Sequence, residues 1–180
     1  MSTLIANTLQ GINTVKYDDS TTAMTIDSSG RVLQPAKPAF SVRNARSTSF
    51  RGSNLFGGSD TTVIFDIGNN FATSGTNDGG FVAPVSGVYS FSVMGFQSND
   101  VQNNDSGSFY IALNKNGSEA GHKVYFYQDG SDYSRFDNTQ LLQLVAGDVI
   151  KVDVPENVLY VWGGSVDPAR AAHFQGHLVG

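Results

Sequence analysis

The sequence contains no cysteine and no long apolar run. Small secreted modules commonly rely on disulfides, so this cysteine-free chain of 180 residues is expected to fold in a reducing cytoplasm and to gain robustness by forming oligomers. The longest apolar runs, such as 158–162, are far shorter than the ~20 residues of a membrane helix. The N-terminus lacks the basic and apolar segments of a signal peptide. We therefore expect a soluble protein without membrane insertion and without export by the usual signal.

Charge is also scarce. Charged residues make up 15% of the sequence, against roughly 25% in average globular proteins. The formal net charge is −5, and the basic residues are scattered, with only a loose group at Arg43, Arg46 and Arg51. Because nucleic-acid binding requires a basic stripe that follows the phosphates, we do not expect a nucleic-acid partner.

Glycine and aromatic residues are abundant instead, with 20 Gly, 12 Phe, 7 Tyr and one Trp. From residue 39 onward, apolar residues recur at every second position, as in 89–93, 109–113 and 150–154, which is typical of strands with one face in a core. Turn sequences such as Asn116-Gly117 separate these segments. Since no stretch has the spacing of an amphipathic helix, the predicted fold class is an all-β sandwich or barrel.

The N-terminal part of the chain has a different composition. Residues 1–36 contain no aromatic residue except Tyr17 and only short apolar stretches. Within them, 23–26 and 31–33 flank the turn sequence Asp27-Ser28-Ser29-Gly30, which predicts a β-hairpin. Prolines then favour extended backbone over 34–38. We therefore divide the chain into an arm at 1–36 and a head at 37–180.

The head resembles the C1q-like globular domain. The segment 81–91, FVAPVSGVYSF, is similar to the central signature of that family, in which a Phe is followed six positions later by Gly-x-Tyr-x-Phe. Further blocks match in the same order across 37–180. The signature residues are Phe81, Gly87, Tyr89, Phe91, Gly147, Asp148, Phe174 and Gly176. The resemblance implies a C1q/TNF-like jelly-roll β-sandwich that assembles as a homotrimer, with packing rather than chemistry as the role of these residues.

The arm carries a second resemblance. The segments 7–12 (NTLQGI) and 23–32 (AMTIDSSGRV) look like leader segments of bacteriophage appendage proteins, which often precede a C1q-like head. No Gly-X-Y collagen repeat is present, which argues against the animal branch of the family. The resemblance implies that the arm 1–36 serves virion attachment, through contacts with other virion proteins, or trimerisation. It also implies assembly in the host cytoplasm and a final location on the virion surface.

Motifs for catalysis are missing. There is no Gly-x-Ser-x-Gly, no phosphate-binding loop and no dinucleotide fingerprint, so we do not expect an enzyme. His173 and His177 have the spacing of a helical zinc pair, but the family match places them on a strand, where four residues rise ~13 Å, too far for one ion. His122 stands alone and is expected in a loop or at an edge. We predict no cofactor and no zinc site.

The segment 98–107 is dense in oxygen ligands, which leaves a Ca²⁺ site as an alternative to an Asn/Asp-rich turn between strands. Its glycine does not fit the spacing of an EF-hand loop. The segment 158–162 is sheet core, subunit interface or a platform on which a ligand stacks. The candidate ligand contacts from both segments are Asn99, Asp100, Asn103, Asn104, Asp105, Tyr160 and Trp162.

Taken with the two resemblances, these features lead us to interpret the chain as a phage structural protein. The trimeric head of a tail or capsid fibre would adhere to a glycan or protein on the host surface. Two alternatives stay open at this point: a capsid decoration or cement protein, and a soluble cellular ligand-binding module with a C1q-like head.

Overall fold

The structure, a computed structural model, describes residues 11, 13–16, 18–20, 22–44, 54–96, 107–128, 135–154 and 171–180. For 107–109 and 126–128 it describes the backbone alone. The chain divides into two compact units, Met1–Lys37 and Pro38–Gly180. The division lies one residue beyond the boundary that the sequence analysis places at the prolines.

The first unit contains a small antiparallel sheet with strands β1 (Thr14–Lys16), β2 (Thr22–Ile26) and β3 (Val32–Leu33) in that order. The predicted hairpin is β2 and β3. Its turn is closed by Asp27, whose Oδ1 accepts hydrogen bonds from the backbone N–H groups of Ser29 and Arg31, both at 2.9 Å. The Arg31 side chain also donates from Nε to Oδ2 of Asp27 at 2.6 Å. The backbone and side-chain hydrogen bonds from Arg31 lower the pKa of the Asp27 carboxyl. The sequence analysis missed β1, which is short and fully exposed.

The second unit is built from two five-stranded antiparallel sheets. In spatial order, the first sheet contains β10 (Ser118–Gln128), β9 (Gly107–Lys115), β12 (Val149–Asp153), β7 (Gly80–Val82) and β6 (Phe71–Ala72). In spatial order, the second sheet contains β11 (Arg135–Leu144), β8 (Gly87–Phe96), β13 (His173–Leu178), β4 (Ala39–Asn44) and β5 (Thr61–Ile67). Among the described residues, a 3-10 turn at Gly58–Asp60 is the only helical element. No helix in this part of the chain is long and apolar enough to cross a membrane.

Alternating burial along the strands confirms the all-β prediction. In β8, Tyr89, Phe91 and Val93 are buried while the residues between them are partly exposed. The predicted Asn116-Gly117 hairpin joins β9 to β10, and both residues have positive φ, at 53° and 85°, as a type I′ turn requires. The inward faces of the two sheets therefore share one core.

The centre of that core is a group of aromatic rings. Phe40 lies at the middle, with its ring centroid 4.9 Å from Phe81 and 5.0 Å from Phe174. Phe91 stacks on Phe174 with centroids 6.0 Å apart. All four side chains are at most 1% exposed. We call these four residues the aromatic cluster; it contains rings from both sheets and therefore joins them.

Gly176 makes room for the aromatic cluster. It lies on the inward face of β13, and a Cβ there would be 2.6 Å from Cδ1 of Phe91 and 2.8 Å from Cε1 of Phe40. Ring atoms held in a packed core cannot retreat without moving their neighbours. Phe174 and Gly176 are two residues apart and therefore lie on the same face of β13. Phe174 contributes a ring to the core, and Gly176 leaves room for the rings of Phe91 and Phe40.

Replacing Phe91 with Ala should lower the free energy of unfolding by ~3–5 kcal/mol, because it deletes a buried ring and leaves a cavity between the sheets. Tyr125→Ala is the matched control, since Tyr125 is 64% exposed. Denaturant unfolding of both variants measures the difference. Equal unfolding midpoints for Phe91→Ala and the wild type would show that β8 does not present this face to the core.

Candidate functional site

The signature residues from the sequence lie in the core and in the turns that close it. Phe81, Tyr89, Phe91 and Phe174 are buried rings. Gly176 accommodates the rings of Phe91 and Phe40. The geometry gives these residues packing contacts.

Gly87 marks the tight entry into β8. A Cβ at this position would be 2.7 Å from Cδ1 of Leu178 and 3.0 Å from the carbonyl oxygen of Gly180. Two residues later, the Tyr89 hydroxyl donates a hydrogen bond of 2.8 Å to the carbonyl oxygen of Val85. Burial raises the pKa of this phenol. The hydroxyl ties the turn before β8 to the strand itself.

Asp148 holds together the turn before β12 and the β9–β10 hairpin. Its carboxylate accepts hydrogen bonds from Nδ2 of Asn116 at 2.7 Å and from the backbone N–H of Val145 at 2.9 Å, and it pairs with Nζ of Lys115 at 2.8 Å. The Lys115 ammonium and the Val145 N–H lower the pKa of the Asp148 carboxyl to about 2. Gly147, with φ of 91°, allows the chain to turn just before this residue.

A polar cleft of about 340 Å³ opens on the outer face of the first sheet. The cleft is lined by Asn54, Thr76, Asn77, Asn114, Asn116, Gly117, Val149, Lys151 and Asp153. Register explains how distant parts of the sequence meet there, since Lys151 of β12 lies directly opposite Asn114 of β9. The loop 73–78 forms another wall, where Nζ of Lys151 lies 3.5 Å from the carbonyl oxygen of Thr76.

Asn54 is held rigidly at the wall of the polar cleft. It adopts a positive φ of 69°, and a Cβ on either Gly57 or Gly79 would collide with its side chain. Its Oδ1 atom is buried and has no hydrogen-bond partner. An unsatisfied buried acceptor costs ~1–3 kcal/mol.

Two tyrosines lie on the same outer face as the polar cleft. Tyr110 of β9 is directly opposite Tyr125 of β10, and their ring centroids are 5.4 Å apart. The ammonium of Lys123 lies 4.3 Å from the centre of the Tyr110 ring and 2.7 Å from the Glu119 carboxylate. Tyr125 remains 64% exposed, which leaves its ring accessible.

The outer face of the second sheet has a different character. Cross-strand pairing aligns one row of Leu141, Ser90, His177, Ala39 and Ile67. The next row consists of Thr139, Ser92, Gln175, Ser41 and Phe65. Short or polar side chains fill the middle of both rows, and Leu141, Phe65 and Ile67 at the margins are 63%, 48% and 39% exposed. The apolar residues therefore lie at opposite margins of two rows that contain no Asp, Glu, Lys or Arg. The adjacent row of this face does contain charged residues, Asp137 and Arg43.

The histidines do not form a metal site in the described structure. His173 and His177 lie on β13, the strand position that the sequence analysis expected, and both point away from the core. His122 lies in the edge strand β10, where its backbone N–H donates to Oε1 of Gln140 at 2.8 Å. Across the described ranges, no group of three His, Cys, Asp or Glu side chains could hold a metal ion.

The predicted ligand contacts fall outside the described residues. This applies to Asn99, Asp100, Asn103, Asn104 and Asp105, and with them to the alternative Ca²⁺ site of 98–107. It also applies to the two aromatics of 158–162, Tyr160 and Trp162. These assignments stay predictions.

Sequence reasoning missed the polar cleft. Asn114, Lys151 and Asp153 occupy the polar positions of alternating strands, which is a visible signal that they lie on an outer face. The sequence gives no indication that β9 and β12 are neighbours in this register, or that the loop 73–78 lies beside them. That information comes from the pairing of strands distant in the sequence.

Two solved structures show what the fold is similar to. The globular domain of zebrafish complement 1qA protein has a TM-score of 0.58 at 19% sequence identity, covering 80% of this chain and 98% of the zebrafish one. Murine APRIL at pH 5.0 has a TM-score of 0.55 at 11% identity, covering 79% of this chain and 99% of the murine one. No protein-family model matches the sequence. No curated protein matches it either.

The head therefore has the C1q/TNF-like jelly-roll fold that the signature residues predict. At these identities the likeness concerns the fold. The distribution of polar and apolar side chains on its outer surfaces belongs to this chain.

Asp148→Asn should destabilise the protein at neutral pH, because the variant loses the charge that pairs with Lys115. A carboxyl whose pKa is lowered in the folded state stabilises that state above its ordinary pKa of 3.8, and this contribution is lost as the pH falls from about 4 toward about 2. The difference in unfolding midpoint between wild type and variant should therefore shrink over that range. Asp137→Asn is the control, because Asp137 is at an exposed position of β11. A difference that is constant from pH 7 to pH 2 would contradict the assigned role of the ion pair.

Proposed function

We propose that this protein is a homotrimeric structural protein of a phage virion, whose C1q-like head is displayed for adhesion to a ligand on the host surface. The observation that carries the proposal is the outer face of the second sheet. This face combines a weakly charged centre with exposed apolar side chains at two opposite margins. Such a surface favours contact between copies of the chain.

The two margins suggest how copies would meet. Leu141 lies on β11 at one margin, and Phe65 and Ile67 lie on β5 at the other. A contact between different margins of neighbouring copies is heterologous, and heterologous contacts produce closed rings when the rotation between copies closes. Three copies is the number that the resemblance to the C1q-like family implies.

The arm supports the virion part of the proposal. It is a compact unit separate from the head, and its exposed strands bury little apolar surface of their own. A segment of this kind gains stability by packing on a partner. The resemblance of 7–12 and 23–32 to phage leader segments supports other virion proteins as that partner.

The adhesive part of the proposal is supported by the surfaces that contacts between copies would leave free. With the outer face of the second sheet used between copies, the first sheet and the loops of the head face outward. Binding residues commonly lie on such surfaces, where a rigid scaffold holds them in place. The absence of a metal-binding group among the described residues is compatible with this non-enzymatic role but does not carry it.

The native mass should be about three times the 19.2 kDa chain mass, and Phe65→Lys should reduce it to one chain mass by placing a charge at the apolar margin of β5. Val145→Lys is the matched control, since Val145 is 60% exposed in the turn after β11 and outside the two rows. Multi-angle light scattering at micromolar concentration measures all three proteins. A monomeric wild type, or a trimeric Phe65→Lys protein, would contradict the assigned interface.

Phage particles whose genome encodes the protein with a terminal tag should show the label at a tail or capsid fibre by electron microscopy, and particles without the protein should adsorb poorly to the host. Deleting 1–36 should remove the label from the particle, because the arm makes the attachment. If the tagged particles carry the label but particles without the protein adsorb normally, the result would support a decoration protein instead. Particles that never carry the label would exclude both roles.

A further inference from the structure

We propose that the polar cleft on the outer face of the first sheet is a carbohydrate-binding site. This inference deepens the proposed adhesive function by naming the class of ligand, and it rests on that function for its biological setting. The binding itself is a property of the head and can be measured on the purified protein.

The lining of the polar cleft matches the chemistry of sugar hydroxyls. Each hydroxyl both donates and accepts hydrogen bonds, and the Asn77 amide presents both kinds of group. The Asn114 amide already donates to Oδ2 of Asp153 at 2.7 Å and accepts from the backbone N–H of Gly117 at 2.7 Å, so only its second Nδ2 hydrogen and second Oδ1 lone pair are left for a ligand. Thr76 adds a hydroxyl, Lys151 adds donors and Asp153 adds acceptors. At about 340 Å³ the cleft lies at the small end of the range of ligand pockets, roughly 300–1,000 Å³. It therefore has room for a small saccharide unit.

The same lining disfavours other classes of ligand. Typical pockets for apolar ligands are lined mainly by hydrophobic side chains, whereas Val149 is the one large apolar residue here. A phosphate or nucleic acid would meet the carboxylate of Asp153 beside the single ammonium of Lys151. A peptide that adds a strand needs a free sheet edge, and β12 lies between β9 and β7. A neutral polyhydroxyl ligand avoids all three conflicts.

Asn54 and Asp78 fix one wall of the polar cleft before any ligand arrives. The Asp78 carboxylate accepts from the backbone N–H of Gly58, at 2.8 and 2.9 Å from its two oxygens. The Asn54 side chain is packed against Gly57 and Gly79, where a Cβ on either glycine would collide with it. A wall that is ordered in advance lowers the entropy cost of binding.

The tyrosine pair extends the site along the same face. Tyr110 lies four residues from Asn114 on β9, a rise of ~13 Å on a strand, and its side chain is on the same side of the sheet. Tyrosine combines an apolar ring face with a polar hydroxyl, which favours contacts with ligands that stay partly hydrated. An oligosaccharide long enough to leave the polar cleft in this direction would reach Tyr125.

The test uses the purified full-length protein on an array of immobilised neutral oligosaccharides of glucose, galactose, mannose and N-acetylglucosamine. The oligosaccharide with the strongest signal is then titrated calorimetrically into wild type and into the double variant Asn77→Ala/Lys151→Ala. Each lost hydrogen bond should weaken binding about 2- to 10-fold, so the double variant should lose about 4- to 100-fold. Tyr125→Ala should weaken long oligosaccharides more than short ones.

Ser74→Ala is the matched control, because Ser74 is exposed in the same loop as Asn77 but does not line the polar cleft. It should bind like the wild type, and all variants should keep the wild-type mass and unfolding midpoint. Failure of the wild type to bind any oligosaccharide on the array, or equal binding by the double variant, would overturn the site.

Failure of this inference can be told apart from failure of the proposed function. Particles that need the protein for adsorption but adsorb normally with the double variant would refute the carbohydrate site and leave adhesion standing. Conversely, oligosaccharide binding that depends on the polar cleft, in a protein that particles do not need for adsorption, would support the site and refute the adhesive role.

Discussion

The packing of phenylalanine rings against Gly176 is the contact on which the rest of the head depends. Phe40 and Phe174 belong to adjacent strands of the second sheet, while Phe81 belongs to the first, so this contact fixes the distance between the sheets. The rings fit because β13 has no Cβ at Gly176. Once the two inward faces are fixed in this way, pleating determines which side chains must lie on the two outer faces.

Much of this architecture could be predicted from sequence because its causes are local. Alternation around Tyr89 and Phe91 specifies an inward face, and Asn116-Gly117 specifies a hairpin turn. The polar cleft could not be predicted, because it depends on β9 and β12 being neighbours in a register that places Asn114 opposite Lys151. Likewise, nothing in the local sequence pairs Leu141 with Ser90 in the row that ends at Ile67.

The sandwich separates two kinds of surface that would interfere with each other on one face. The second sheet presents short polar side chains bordered by apolar ones, which favours close approach of copies, and the first sheet presents amides, a carboxylate and an ammonium around a concave opening. Self-association through one sheet leaves the other free for a ligand. A trimer would then carry three outward polar clefts, and multivalent binding would strengthen weak individual contacts.

The most direct test of this account is an experimental structure of the purified full-length protein, obtained by crystallography or electron microscopy without added ligand. The account predicts three copies around one axis, with Leu141 of each copy and Phe65 of its neighbour buried at the contacts and the polar cleft open to solvent. A structure in which the outer face of the second sheet stays solvent-exposed, or in which copies meet through the polar cleft, would contradict it.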